Sequence, residues 1–282
     1  MNVLKLVGKL LLVFLLSMLG IVFFVSLLFP LYPVNRSLMP VILGQNAAFV
    51  LAAFLTWIWL EKKPLDELGF AEPSPFRSFL RGAGWGTFGI AVPFVLLLAN
   101  GLLTVDRFYI SSSTVTDFTS ALSGFLIIAL GEEILVRGYI QTLMVRQWGR
   151  IIGIFSASLL FCALHLGNPN LSWLALLNLF LAGVMLGTAK EAFGGLWAPI
   201  GFHFTWNLCQ EMLSLPVSGL HLIEHPVLFT RETGPAWVTG GRFGLEGGAA
   251  VTLLLISLTA VFWLQSRNRT KSDHSHTSGL TR

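Results

Sequence analysis

Long apolar segments recur along the whole chain, and most are long enough to cross a lipid bilayer as helices. About 20 apolar residues are needed, because the hydrocarbon core is about 30 Å thick and a helix rises about 1.5 Å per residue. The sequence predicts eight such segments, of which the fifth is short: 4–29, 39–60, 80–103, 117–148, 151–167, 171–190, 195–213 and 247–265. A hydrophobic fraction of 54% agrees with lipid as the solvent. We therefore expect an all-α, polytopic membrane helix bundle of about eight transmembrane helices.

The positions of lysine and arginine predict how the bundle is oriented. These residues concentrate in cytoplasmic loops of membrane proteins. If both termini are cytoplasmic, the cytoplasmic side holds all of them except four outer arginines: Arg36, Arg107, Arg231 and Arg242. The first apolar run follows two lysines, as in a signal peptide, but it is too long for one and no A-x-A cleavage site follows it. We expect this helix to be retained.

Composition predicts one transmembrane domain, residues 1–265, and a polar, disordered cytoplasmic tail, residues 266–282. The longest connection is an outer loop at 214–246. The two cysteines, Cys162 and Cys209, lie in apolar stretches and imply no disulfide framework. No basic patch with interleaved aromatics indicates nucleic-acid binding. The lipid bilayer is the expected surrounding, and the lack of eukaryotic targeting signals favours a bacterial plasma membrane.

Polar and ionisable side chains inside the predicted spans are the strongest indication of function. Such residues are costly in lipid, usually face the bundle interior and usually mark a site. Asn178 on the sixth span is more typical of a structural hydrogen bond. The candidates on the fourth, fifth and seventh spans are Glu132, Glu133, Arg137, His165, His203 and Asn207.

Helical spacing separates the two adjacent acids. Glu133 and Arg137 are four residues apart, with the acid on the N-terminal side, which favours an ion pair on one helix face. Glu132 points about 100° away, and its own neighbour four residues on is Val136, which carries no charge. Glu132 is therefore the candidate general base. A purely structural cluster of Arg137 with both acids is the alternative interpretation.

Depth in the membrane predicts that the candidates converge. Counted from the turn near 148–151, Glu132 lies roughly 24 Å along one helix and His165 roughly 21 Å along the next. His203 and Asn207 share a helix face and lie roughly 12–18 Å from the start of the seventh span. We expect all four side chains to line one cavity.

Three ordered motifs carry a resemblance to a known family. EEILVR at 132–137 resembles the EExxxR motif, FCALH at 161–165 the FxxxH motif, and HFTWN at 203–207 the HxxxN motif of the CPBP family. These are the CAAX-protease and bacteriocin-processing intramembrane endopeptidases, also called the Abi family. The resemblance covers about residues 115–212.

The resemblance implies an eight-helix intramembrane protease and a role for each matched residue. Glu132 would activate water, and His165 would assist Glu132 or hold the water. His203 and Asn207 would stabilise the oxyanion of the tetrahedral intermediate. The substrate would be a membrane-associated or prenylated, CAAX-type peptide or a membrane protein. The supporting residues would be Glu133, Arg137 and Phe161.

The sequence leaves metal dependence and the function class open. Glu132, His165 and His203 would make a catalytic zinc set with an open position. The family is commonly labelled as metalloproteases, whereas a metal-free glutamate mechanism is also proposed for its prenyl-processing members; we favour metal-free catalysis. A second zinc-protease pattern, HLIEH at 221–225, lies in the outer loop and is expected to be structural. The alternative function is a transporter or scaffold that uses the polar cluster as an ion or proton relay.

Overall fold

The computed structural model describes residues 2–31 and 38–279, with side chains described up to residue 269, except that of Leu31. Helices form 77% of the chain, which confirms the all-α prediction. The α-helices are α1 (Val3–Leu28), α2 (Met39–Thr56), α3 (Pro75–Ala99), α4 (Ser112–Glu133), α5 (Thr142–Trp148), α6 (Arg150–Leu164), α7 (Trp173–Phe193), α8 (Trp197–Met212), α9 (Ala236–Thr239) and α10 (Ala249–Gly279). The remaining regular elements are π-helical segments at Trp57–Glu61 and Ile134–Gln141, 3₁₀ turns at Phe29–Leu31, Leu65–Leu68, Gly241–Phe243 and Leu245–Gly247, and strands β1 (Leu103–Phe108) and β2 (Leu228–Glu232).

All eight predicted apolar segments contain a helix, but not all of these helices are long enough to span a bilayer. Six spans in the described ranges meet the length and hydropathy requirement: Val3–Leu28, Met39–Glu61, Pro75–Ala99, Ser112–Trp148, Trp173–Phe193 and Ala249–Arg269. The exceptions are α6 and α8, which have 15 and 16 residues. The predicted fifth span ends early because the backbone leaves the helix at His165. The protein is therefore an integral membrane helix bundle whose two shortest membrane helices both carry candidate site residues.

Packing places α4 and α8 at the centre of the bundle. Helix α4 packs on α2 and α8, α3 packs along α8, and α7 packs against α6 and α10, while α1 packs mainly on α2. The α3–α8 contact is close because glycines line it. A Cβ atom added to Gly82 would lie 1.9 Å from the carbonyl oxygen of Ala198, and one added to Gly86 would lie 2.3 Å from that of Phe202. Small residues of this kind let membrane helices approach closely.

A two-stranded antiparallel sheet, absent from the sequence prediction, joins two outer connections. β1 follows α3, and β2 lies within the predicted outer loop, with Val105 opposite Thr230. More than 100 residues separate the strands, so neither forms a local hairpin that a turn motif would indicate.

Two carboxylates, the buried Glu211 and the half-buried Glu246, fix a strip of the outer connection, residues 217–223, over the bundle. Glu211 Oε1 accepts hydrogen bonds from the backbone N–H groups of Leu222 and Ile223, at 2.9 and 3.1 Å. Glu246 Oε2 accepts from the backbone N–H and the hydroxyl of Ser218, at 3.0 and 2.7 Å. Trp206 Nε1 donates to the other oxygen of Glu246 at 2.9 Å, so the strip is tied to α8.

The tail predicted to be disordered begins within α10, whose backbone is helical from Ala249 to Gly279. Residues 280–282 lie outside the described residues. The cytoplasmic location of both termini and the disorder of 266–282 remain predictions.

Candidate active site

Glu133 lies at the centre of a buried polar cluster. Its Oε1 accepts hydrogen bonds from Arg137 Nη1 at 2.8 Å and from His203 Nδ1–H at 2.9 Å, and none of its surface is exposed. The guanidinium carbon of Arg137 lies 4.2 Å from the centre of the Phe161 ring. The predicted pairing of Glu133 with Arg137 is thus present, and it also orients the His203 ring from another helix.

Arg137 belongs to the π-helical segment Ile134–Gln141, which contacts α7 at several points. Its Nη2 lies 3.4 Å from the carbonyl oxygen of Gly183. The backbone oxygen of Arg137 accepts a hydrogen bond from Lys190 Nζ at 2.6 Å. One turn on, Gln141 Nε2 donates to the Gly187 carbonyl at 3.1 Å. π-Helical turns inside α-helices occur frequently at functional sites, and here one face of α7 holds the turn in place.

Glu132 differs from its neighbour in having no arginine or lysine partner among the described residues. Its Oε2 lies 4.0 Å from His165 Nε2 and 4.0 Å from His203 Nε2, beyond direct hydrogen-bond distance. This oxygen has no hydrogen-bond partner among the described residues. The side chain remains 12% exposed, toward the cavity that it lines.

The sequence predicted that His165 lies within the fifth span, but in the structure His165 is the C-cap of α6. Its backbone leaves the helix with φ −97° and ψ 2°. Its Nδ1–H donates to the carbonyl oxygen of Phe161 at 2.9 Å, and the two rings contact each other at a tilt of 56°, with 4.7 Å between centroids. Because Nδ1 carries this hydrogen bond, Nε2 is the nitrogen presented to Glu132. His203 is held in the same way through Nδ1 by Glu133, so two imidazoles present Nε2 to one carboxylate.

The cluster opens into a cavity of about 330 Å³ between the helices. Asn207, 4% exposed, lines the same cavity on the face of α8 that also bears His203. The 217–223 strip forms the outer wall through Val217, Ser218, Leu220 and Leu222. The structure therefore brings together the four side chains that the sequence predicted to converge.

Glu132, His165 and His203, the possible zinc ligands in the sequence, are not positioned in the structure to hold a zinc ion together. Across the described ranges, no group of three His, Cys, Asp or Glu side chains has an arrangement that could hold a metal ion. Ligands about 2.0–2.2 Å from a tetrahedral zinc ion lie about 3.4 Å apart. The separations from Glu132 Oε2 to His165 and to His203 are both 4.0 Å.

The HLIEH pattern holds the outer strip in place instead of forming a second zinc site. It is not helical, and His225 Nδ1 lies 2.9 Å from Asp117 Oδ2 at the start of α4. His221 Nδ1 lies 3.5 Å from Glu211 Oε1. Each histidine of the pattern thus contacts a carboxylate, as expected for a structural role in the loop.

Sequence reasoning missed several polar residues near the site, among them Asn46, Lys190 and Glu246. Asn46 and Glu246 line the cavity, and Lys190 holds the π-helical segment. Asn46 is a polar residue inside the predicted span 39–60, so its sequence context carries the same signal as that of Asn178. The other two lie at span ends, where charged residues are common and carry no signal.

Comparison with known proteins supports the motif assignment. Residues 114–209 match the family described as type II CAAX prenyl endopeptidase, Rce1-like. The chain is 37% identical over 79 residues to the uncharacterized protein YpbD of Bacillus subtilis, covering 28% of this chain and 37% of that protein. It is 30% identical over 142 residues to an uncharacterized 24.3 kDa protein of Escherichia coli, covering 46% of this chain and 64% of that protein. The chain thus spans less than two thirds of either relative.

No solved structure matches the chain significantly. The family match nevertheless includes all three motifs and every side chain of the cluster around Glu132 and Glu133. Over residues 114–209, the chain is therefore similar to the Rce1-like, type II CAAX prenyl endopeptidases, which agrees with the predicted resemblance of its motifs to the CAAX-protease family.

Proposed function

We propose that this protein is an intramembrane endopeptidase that hydrolyses a peptide bond of a membrane-associated or prenylated, CAAX-type peptide. The observation that carries the proposal is the environment of Glu132: a carboxylate without an arginine or lysine partner, facing two histidine Nε2 atoms at 4.0 Å on the wall of an intramembrane cavity. A positioned carboxylate of this kind suits general acid–base catalysis.

Glu132 performs both proton transfers in this mechanism. It takes a proton from a water molecule while the water oxygen bonds to the scissile carbonyl carbon. The protonated Glu132 then gives that proton to the amide nitrogen as the C–N bond breaks. The products are a carboxylic acid and an amine, so the carboxylate returns to its starting state. His165, held through Nδ1, orients the water or Glu132 through its Nε2.

Asn207 and His203 stabilise the charge that develops on the carbonyl oxygen. The side-chain amide of Asn207 donates an N–H group. His203 already donates Nδ1–H to Glu133, so Nε2 can donate only when the ring is the imidazolium. Donors already held in place for the oxyanion require little reorganisation during the reaction. Glu133 and Arg137 thus act on catalysis through the orientation and charge of His203.

The decisive experiment uses purified protein in liposomes with a fluorogenic farnesylated peptide that ends in cysteine, two aliphatic residues and methionine. We expect wild type to cleave it after the cysteine and Glu132→Ala to lose the activity. Glu67→Ala, which makes the same change at an exposed acid, is the matched control. We also expect a chelator to leave cleavage unchanged; reversible loss on chelation, with stoichiometric zinc, would refute the metal-free mechanism.

The relay alternative makes a different prediction for the same proteins. A transporter or relay would show ion or proton flux that depends on Glu132 and no cleavage of any peptide. To include substrates other than prenylated peptides, membrane proteomes of cells with wild type and Glu132→Ala should be compared. Uncut proteins that accumulate only in the variant are expected; identical proteomes would argue for the relay.

A further inference from the structure

A shallow cleft lies between α10 and the turn that joins α5 to α6. Its lining residues are Trp148, Gly149, Arg150, Ile151, Ile152 and Trp263. Trp148 ends the apolar span Ser112–Trp148, and Trp263 lies near the end of the span Ala249–Arg269. Tryptophan is enriched at membrane–water interfaces, where its ring sits among the lipid headgroups. The cleft therefore lies at headgroup level, at the end of the bundle predicted to face the cytoplasm.

Arg150 provides the charge in this cleft. Its guanidinium carbon lies 4.8 Å from the centre of the Trp263 ring, and its side chain is 25% exposed. Nε lies 3.6 Å from Glu191 Oε2, too far for a hydrogen bond. Nε and Nη2 are covered by protein, whereas Nη1 reaches the surface, and none of the three has a hydrogen-bond partner among the described residues. Because a guanidinium only donates hydrogen bonds, Nη1 offers N–H groups for which the protein supplies no acceptor.

The surroundings of the cleft carry a net positive charge. Arg267 lies one helical turn beyond Trp263 on α10, is exposed, and has no acidic partner within the described part of the chain. Glu191, the acid beside Arg150, also lies 3.5 Å from Gln141 Nε2. Two arginines therefore face one acid. Basic pockets of this kind between membrane helices bind anionic headgroups, since anionic lipids concentrate in the cytoplasmic leaflet.

An apolar helix face continues from the cleft into the bilayer. Ile151, Phe155 and Leu159 follow one another at four-residue intervals along α6, and all three are exposed. Residues at this spacing share one face of a helix. A free anion would contact only the arginine end, whereas an amphiphile would contact the arginine and the apolar face together. The occupant that fits both parts is a phospholipid.

We propose that this cleft binds an anionic phospholipid, with the headgroup phosphate at Arg150 and an acyl chain along the exposed face of α6. Hydrogen bonds between a guanidinium and a phosphate are charge-assisted and stronger than neutral ones. The Trp263 ring holds the guanidinium by a cation–π contact, so little ordering is needed when the lipid binds. The inference goes beyond the proposed endopeptidase function and does not depend on it.

The test titrates the full-length protein in detergent with phosphatidylglycerol or with phosphatidylcholine that has the same acyl chains, and counts bound lipids by native mass spectrometry. We expect wild type to retain one phosphatidylglycerol with a Kd at least fivefold below that of phosphatidylcholine. Arg150→Gln should lose roughly fivefold of this preference, the contribution of one basic residue to binding an anionic lipid. Inorganic phosphate should not displace the lipid.

Arg107→Gln is the matched control, because Arg107 also stacks on aromatic rings but lies in the outer sheet. It should bind both lipids as wild type does. Arg150→Lys, which keeps the charge, should retain most of the preference. If Arg150→Gln does not fold, Arg267→Gln removes the exposed neighbouring charge and should also lower the preference several-fold.

Three outcomes would overturn the inference. Wild type could bind the two lipids equally, as a purely structural stacking of Arg150 on Trp263 would give. The preference could survive in Arg150→Gln to the same extent as in Arg107→Gln, which would place the lipid elsewhere. Inorganic phosphate could displace the lipid, which would make the cleft a site for a free anion. None of these results bears on cleavage by Glu132.

Discussion

Adjacent glutamates in this protein have opposite environments because they lie on different faces of one helix. Glu133 is fully buried and bonded to Arg137 and His203, whereas Glu132 faces the cavity without an arginine or lysine partner. Spacing along the sequence predicted this difference, because the residue four positions after Glu133 is an arginine, whereas the one four positions after Glu132 is a valine. It did not predict that Glu133 also bonds to His203, because that contact crosses 70 residues of sequence.

Removing the cation from this pair should destabilise the protein. We expect Arg137→Ala to lower the melting temperature in detergent well below that of Glu132→Ala, because it leaves Glu133 a buried carboxylate without its cation. Breaking a buried ion pair from one side costs about 3–5 kcal/mol. Equal melting temperatures for the two variants would contradict the structural role of Arg137.

Asn207 should affect the rate more than substrate binding. For Asn207→Ala we expect kcat to fall by about 10²–10³ with KM little changed, since the donor acts on a charge that exists only in the transition state. Steady-state kinetics on the farnesylated peptide would measure both values. Asn100→Ala, the same substitution at the exposed end of α3, is the control. A rise in KM alone would assign Asn207 to substrate binding instead.

At the scale of elements, glycine determines how closely α3 and α8 approach. Gly86→Ala would place Cβ 2.3 Å from the backbone oxygen of Phe202, whereas nothing lies within 4 Å of a Cβ on Gly84, two residues away. We expect Gly86→Ala to destabilise the protein by about 1–3 kcal/mol. Gly84→Ala should be neutral or slightly stabilising, since alanine favours helix. Thermal unfolding of both variants is the measurement, and equal melting temperatures would contradict close packing.

The π-helical segment Ile134–Gln141 is held by a hydrogen bond from Lys190 on α7. Lys190→Met would leave the backbone oxygen of Arg137 without the Nζ donor, and it should lower stability and kcat together with KM nearly unchanged. Lys190→Arg, which keeps a cation and donor, should restore part of kcat. Lys63→Met, at an exposed position, is the control. A stability loss with unchanged kcat would limit Lys190 to a structural role.

Over the whole molecule, hydropathy predicted where the helices lie, because burial in lipid is a local property of about 20 residues. The breaks within them depend on distant contacts instead. The π-helical segment is held by α7, and the early end of α6 at His165 is fixed by the Phe161 carbonyl. The β1–β2 sheet joins strands more than 100 residues apart. No local pattern specifies these features.

Orientation is the remaining whole-molecule prediction. Lysine and arginine placement puts the loop before α3 in the cytoplasm and the start of α4 outside. We expect Ser113→Cys to react with a membrane-impermeant maleimide in intact cells and Ser74→Cys to react only after permeabilisation; both positions are exposed. The reverse labelling pattern would invert the topology.

The outer strip at 217–223 has a property that bears on how such proteins diverge. Glu211 and Glu246 hold it mainly by bonding to its backbone N–H groups, which nearly every residue type supplies. The side chains of Leu220 and Leu222 line the cavity and take no part in the hydrogen bonds that anchor the strip. Substitutions there can reshape the pocket while its wall stays anchored. For the proposed endopeptidase, the strip is therefore a place where preference for a new substrate can evolve, or be engineered, at little cost to folding.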